Sequence, residues 1–184
     1  MEGGDTEDGP GPSRSTCTAQ ELKSVAKKLC LIRHGHGVHN PRPNPLDLGF
    51  LHGMLQKDAR LTVKGRQQAR ALQPLMTPYP FQLVAVSPLS RAIETATEAF
   101  HGSPVPKILC PLLCERCMMP ADEGTPASQL LSKHPQLESW QGLAELEERF
   151  WPKRSLQDAE QEVVERVDNF KQWLLKRPEA CVAL

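Results

Sequence analysis

Leu29-Cys30-Leu31-Ile32-Arg33-His34-Gly35 is the stretch on which the fold turns. Four apolar residues stand between two lysines and an Arg-His-Gly, too few for a helix and without the polar alternation of a half-solvated strand. Such a run predicts a strand buried on both faces, the kind found in parallel sheets. The same sign recurs at Leu83-Val84-Ala85-Val86, Lys107-Ile108-Leu109-Cys110 and Ala180-Cys181-Val182-Ala183-Leu184. Helical patterns lie between most of these runs. Thr62 can cap a helix whose inward face is Gln68, Ala69, Leu72, Leu75 and Met76. Ser87-Pro88 predicts a second helix, with Ser as N-cap and Pro at the first helical position, and Thr125-Pro126 repeats that punctuation. Val163, Val167, Phe170 and Leu174 fall at helical spacing on a last helix that ends at Pro178. Strands alternating with helices predict an α/β fold with a mostly parallel sheet flanked by helices.

The 184 residues suffice for one domain with a real core. Residues 1–16 hold almost no apolar side chains and are expected to be disordered, because they cannot offset the entropy of ordering. Residues 17–27 read as a linker or a short helix through Gln20–Lys27, and 28–184 as the domain. From Asn40 to Arg60, with three prolines in the first six residues, the chain reads as a long loop of functional type. The formal net charge of zero gives no field to draw in nucleic acid or a membrane surface, so neither is an expected partner. No apolar run could span a bilayer, and the acidic N-terminus does not read as a secretory signal, which leaves the cytoplasm as the expected location. Cys30, Cys110 and Cys181 lie in apolar stretches. Cys114-Glu115-Arg116-Cys117 is a single CxxC with no second ligand pair, so no metal is expected.

In open α/β sheets ligands gather at the carboxyl ends of strands, and two of the four expected strands carry chemistry there. After the first, His34 offers a neutral imidazole that can attack phosphorus. Arg33 offers a planar fork for phosphoryl oxygens, and Gly35 lets the backbone approach an anion. After the second, Ser87-Pro88-Leu89-Ser90-Arg91 puts Arg91 in the first turns of a helix, whose N-terminus itself favours anions. Together they predict a phosphate pocket, provided that the two strands are neighbours.

Three blocks in this order resemble the histidine phosphatase superfamily. Arg33-His34-Gly35-His36-Gly37-Val38-His39-Asn40 resembles its RHG-x-x-x-x-N signature. Asp58-Ala59-Arg60-Leu61-Thr62-Val63-Lys64-Gly65-Arg66-Gln67-Gln68-Ala69 resembles LT-x-x-G-x-x-QA, and Ser87-Pro88-Leu89-Ser90-Arg91-Ala92-Ile93-Glu94-Thr95-Ala96 resembles SPL-x-RA-x-x-TA. The Gly-Val-His-Asn ending of the first block is most similar to the plant- and fungal-type branch. The resemblance implies a phosphoglycerate-mutase-like fold and a cofactor-free phosphatase that hydrolyses small phosphomonoesters through a phosphohistidine on His34. A mutase of phosphoglycerate type is the close alternative. By the same resemblance Arg33 and Arg91 hold the phosphoryl oxygens, Asn40 helps to orient the pocket, and Glu115 protonates the leaving group. Asp122 and Glu123 lie near enough in sequence to compete for that last role. His36 and His39 read as pocket wall or substrate contact. The family completes its pocket with a second His just after the fourth strand, and this sequence stops at Ala183-Leu184 within the expected fourth strand. The domain is therefore expected to be truncated before that residue, which also leaves open a non-catalytic binder of phosphorylated ligands or an inactive fragment.

Overall fold

The computed structural model describes residues 26–40, 48–153 and 159–184. The expectations for segment 1–16 and for a helix starting at Gln20 lie outside the described residues. Four strands, β1 (Lys28–Cys30), β2 (Leu83–Val86), β3 (Lys107–Leu109) and β4 (Cys181–Ala183), form one sheet in the order β1-β4-β2-β3. Every pairing is parallel. Among the described residues there are five α-helices: α1 (Leu48–Leu55), α2 (Val63–Met76), α3 (Ser90–Ala99), α4 (Ala127–Lys133) and α5 (Ala159–Lys176). This is the expected α/β architecture. Among the described residues no helix is long and apolar enough to cross a membrane.

The pleat of β2 explains the layers. All four of its residues are buried, and successive side chains point to opposite faces. Val84 and Val86 pack with Ala96, Ala99 and Phe100, with Leu72 and Met76 of α2 at the margin. Leu83 and Ala85 pack with Leu174, Phe170 and Trp173 of α5. Each such side chain contributes roughly 1.5–3 kcal/mol of burial, which is why β2 tolerates no polar residue on either face. A third cluster, Ile93, Leu109, Leu130 and Leu137, joins α3 to α4 and the turn after it.

Several expectations change. β1 is not buried on both faces: Leu29 is 45% and Leu31 78% exposed. The last strand in sequence inserts between β1 and β2 and takes the central place, leaving β1 at the edge, a position that an apolar run cannot reveal. The expected loop from Asn40 to Arg60 contains α1, whose Gly53 lies so close to Val38 that a Cβ there would collide with its carbonyl oxygen. α3 starts at Ser90, not after Ser87, and Leu89 occupies the cap position without a side-chain bond. α4 likewise follows Pro126 with no side-chain cap, because Thr125 turns its hydroxyl to Asp58 instead. Thr62, by contrast, caps α2 as expected, accepting a bond from the Gly65 N–H. On α2 Ala69 is buried but Gln68 and Leu75 are exposed, and on α5 Val167 is exposed.

Candidate active site

The three sequence blocks interlock through backbone. A Cβ on Gly35 would collide with the Gly65 carbonyl oxygen, and one on Gly65 would collide with that of His36. The close approach of α2 therefore requires glycine at position 35. The Gly35 N–H donates to Thr95 Oγ1 (3.1 Å), and that hydroxyl donates to the Arg91 carbonyl (2.7 Å). Thr62 donates its hydroxyl to the His36 carbonyl (3.0 Å), and Gln68 Oε1 accepts the His36 N–H (2.9 Å). The Asn40 side-chain oxygen accepts the Gly37 N–H (2.6 Å) and closes the turn over residues 37–40. His34 thus sits on a loop fixed at both ends by α2 and α3.

β4 separates β1 from β2, so the strands bearing His34 and Arg91 are not neighbours, contrary to the condition set by the sequence. Their following segments meet all the same. Arg33, His34, Arg91 and Glu115 line one cavity of about 390 Å3, whose floor includes Ile32, Val86, Leu89 and Leu184. A second depression joins Arg33, His34 and His36 to Asn40, Gln68 and Thr95. His34 Nδ1 lies 2.8 Å from the Gly35 carbonyl oxygen. Because a carbonyl only accepts, the proton is on Nδ1, and Nε2 keeps its lone pair. Burial holds the His34 imidazole below the ordinary histidine range; the Gly35 carbonyl opposes this and the Arg91 charge adds to it.

Arg91 is buried to 1% exposure of its side chain. One of its terminal nitrogens donates to the Ala121 carbonyl (2.8 Å), and the other to Glu115 (2.9 Å) and Asp122 (3.0 Å). The three carboxylates that the sequence could not rank differ sharply here. Asp122 is 11% exposed, and its second oxygen accepts the N–H groups of Met118 and Met119. Glu123 pairs with Lys57 (3.0 Å). Glu115 is 58% exposed and lines the cavity.

A second polar cluster lay outside the sequence reading. Asp58 Oδ1 accepts the Ser90 N–H (2.8 Å), and its Oδ2 accepts from Ser90 Oγ (2.6 Å), Thr125 Oγ1 (2.5 Å) and Lys133 Nζ (2.8 Å). His134 Nε2 lies 2.8 Å from Ser90 Oγ. Since the hydroxyl spends its hydrogen on Asp58, His134 is the donor. Burial raises the Asp58 carboxyl, but the bonds from Lys133, Ser90 and Thr125 outweigh it and hold the group below the usual carboxylate range. An Asp, a Ser and a His suggest a hydrolytic triad, yet the hydroxyl is fully buried and stands between the other two, so no substrate reaches it. The cluster instead caps α3 from 32 residues away in sequence. The sequence offered only an Asp at the head of the second block; its left-handed backbone, φ 49°, and its buried partners appear only in the structure.

Burial pushes the Cys110 thiol up to about 11 and the Cys114 thiol up to about 12, which keeps both protonated. Among the described residues no group of three or more His, Cys, Asp or Glu could hold a metal ion.

No curated protein matches the chain in sequence. Solved structures do match in fold. YhfR of Bacillus stearothermophilus is similar at 24% identity with a TM-score of 0.55, over 86% of this chain and 72% of that one. The alpha-ribazole phosphatase of Shigella flexneri is similar at 21% and 0.52, over 84% and 71%. A mycobacterial glucosyl-3-phosphoglycerate phosphatase, solved with VO3, is similar at 20% and 0.52, over 86% and 75%. At these identities the likeness is one of fold. The sequence itself matches the profile of the histidine phosphatase superfamily, branch 1, over residues 29–184, and with that match across most of its length the chain belongs to this superfamily.

Proposed function

We propose that this chain is a phosphomonoesterase that works through a phosphohistidine on His34. The observation that carries the reading is the state of His34: a neutral imidazole, its Nδ1 proton given to the Gly35 carbonyl, at the wall of a cavity shared with Arg33, Arg91 and Glu115. Nε2 attacks phosphorus, an N–P bond forms, and the ester P–O bond breaks. Arg33 and Arg91 bind the phosphoryl oxygens, on which charge develops, and Asn40 keeps the loop in place. Arg91 now shares a nitrogen with Glu115; an incoming phosphoryl group takes that donor and leaves the carboxyl beside the ester oxygen. Glu115 then gives its proton to the departing alkoxide. In the second half its carboxylate takes a proton from water, the oxygen attacks phosphorus, and the N–P bond breaks to release phosphate and neutral His34. The geometry favours Glu115 for this role, because Asp122 and Glu123 have their oxygens committed to Arg91, backbone and Lys57.

Incubation with a labelled phosphomonoester and rapid quenching tests it. Acid-labile, base-stable label on His34, absent from His34→Ala, is the expected result. Label that survives this substitution, or that resides on Cys or Asp, overturns the assignment.

A further inference from the structure

The proposed reaction leaves His36 and His39 idle; His36 is bonded to Thr62, whereas His39 packs beside the His34 ring. Its ring centroid lies 5.5 Å from that of His34, with the rings tilted by 49°. Its Nδ1 is buried and has no hydrogen-bond partner. The ring is pressed against the Gly37 backbone, so closely that a Cβ at position 37 would stand 2.7 Å from Nδ1. Position 37 is therefore glycine to make room for this ring, and the turn that holds it is closed by Asn40. A proton on Nδ1 would have no acceptor, so the neutral ring carries its hydrogen on Nε2. Four charged or titratable groups act on the ring: Arg91 and His34 on one side of the balance, Asp122 and Glu115 on the other. Burial comes first, and together they push the His39 imidazole down to about 4.

We infer that His39 is a second imidazole of the phosphoryl pocket, donating Nε2–H to a phosphoryl oxygen once His34 and Arg91 have engaged the group. This rests on the reading of His34 as the phosphoryl acceptor. A neutral imidazole suits this role because it gives one hydrogen bond to developing charge without adding a second full charge beside Arg91, where repulsion would tighten the grip of Glu115.

The test is a nuclear magnetic resonance titration of the unaltered chain with labelled histidine, with and without saturating inorganic phosphate, His39 being assigned through His39→Gln. An anion within hydrogen-bond reach favours the protonated ring, so the His39 midpoint is expected to climb from about 4 to about 5 or higher, alongside a response of His34. A His34 that responds while His39 stays at its unliganded value overturns this inference and spares the proposed function. Silence from both overturns the two together. Activity gives a second readout toward p-nitrophenyl phosphate. His39→Gln, which keeps an N–H donor, is expected to retain much more kcat than His39→Leu, with KM little changed in either. Equal losses in the two variants would make His39 a packing residue and overturn the inference.

Discussion

Glu115 and Asp122 bond to the same guanidinium nitrogen, but only one is free to move a proton. The 58% exposure of Glu115 against the 11% of Asp122 separates a side chain that can swing from one tied down by two backbone N–H groups. Glu115→Gln is therefore expected to slow esters with poor leaving groups by about a hundredfold and to spare p-nitrophenyl phosphate, whose leaving group needs little protonation. Steady-state rates on an alkyl and an aryl ester decide this, and equal slowing of both would remove Glu115 from the role. The acid limb of kcat/KM carries a second prediction. Because His34 is held below the ordinary histidine value of 6.5, its nucleophilic form persists as the pH falls through 6.5, and the limb is expected to lie below that value. A pH profile falling at 6.5 or above would mean that another group sets the limb. Arg33, His34, Asn40, Arg91 and Glu115 were all legible in the sequence as candidates, because three ordered blocks and the third strand carried them. The ranking of Glu115 over its neighbours was not, since it depends on which carboxylate oxygens backbone N–H groups have already claimed.

At the scale of elements, Arg91 is only as well placed as the first turn of α3. That turn has no cap of its own, and Asp58 supplies one from the far side of the second block through Ser90 N–H and Oγ. Asp58→Ala would leave the buried Ser90 N–H without its acceptor and the Lys133 ammonium without its counter-charge. The expected cost is about 2–4 kcal/mol in chemical denaturation, together with a loss of activity that Asp58→Asn partly restores. His134 makes the same junction sensitive to acid. Its folded value is about 4 against 6.5 for an ordinary histidine, burial being the first cause. Between those values the unfolded chain binds a proton that the folded chain does not. Its contribution is thus fully present above pH 6.5 and is lost as the pH falls toward about 4. His134→Gln keeps an N–H for Ser90 but cannot titrate, so its urea-unfolding free energy is expected to fall less steeply in this window, by about 1.4 kcal/mol per pH unit. Parallel slopes in the two proteins would mean that His134 is not the linked group. The sequence announced α3 through Ser87-Pro88 but misplaced its start, because local punctuation cannot report a cap that arrives from another segment.

Across the whole molecule the apolar runs gave the strands and their parallel sense, but not their order. Nothing in Leu29-Cys30-Leu31-Ile32 distinguishes a central strand from an edge; the distinction arises only when β4 inserts beside it. The consequence is physical. Among the described residues β1 pairs with β4 alone, so its outer side is an open ladder edge there, and Leu29 within it and Leu31 just after it are exposed. Leu31 also borders the cavity that Leu184 helps to line. Backbone donors next to exposed leucines are a template for a second copy of the same strand. The chain is therefore expected to associate as its concentration rises, through this edge. Replacing both leucines by lysine, Leu29→Lys with Leu31→Lys, adds two like charges to the edge and two more across any pairing with a second copy. Light scattering over a concentration series should then show the variant remaining monomeric where the parent grows, with unchanged circular dichroism reporting an intact fold. If the variant associates as strongly as the parent, the responsible surface lies elsewhere, and Val164 and Val167, exposed on the outer side of α5, become the residues to change next.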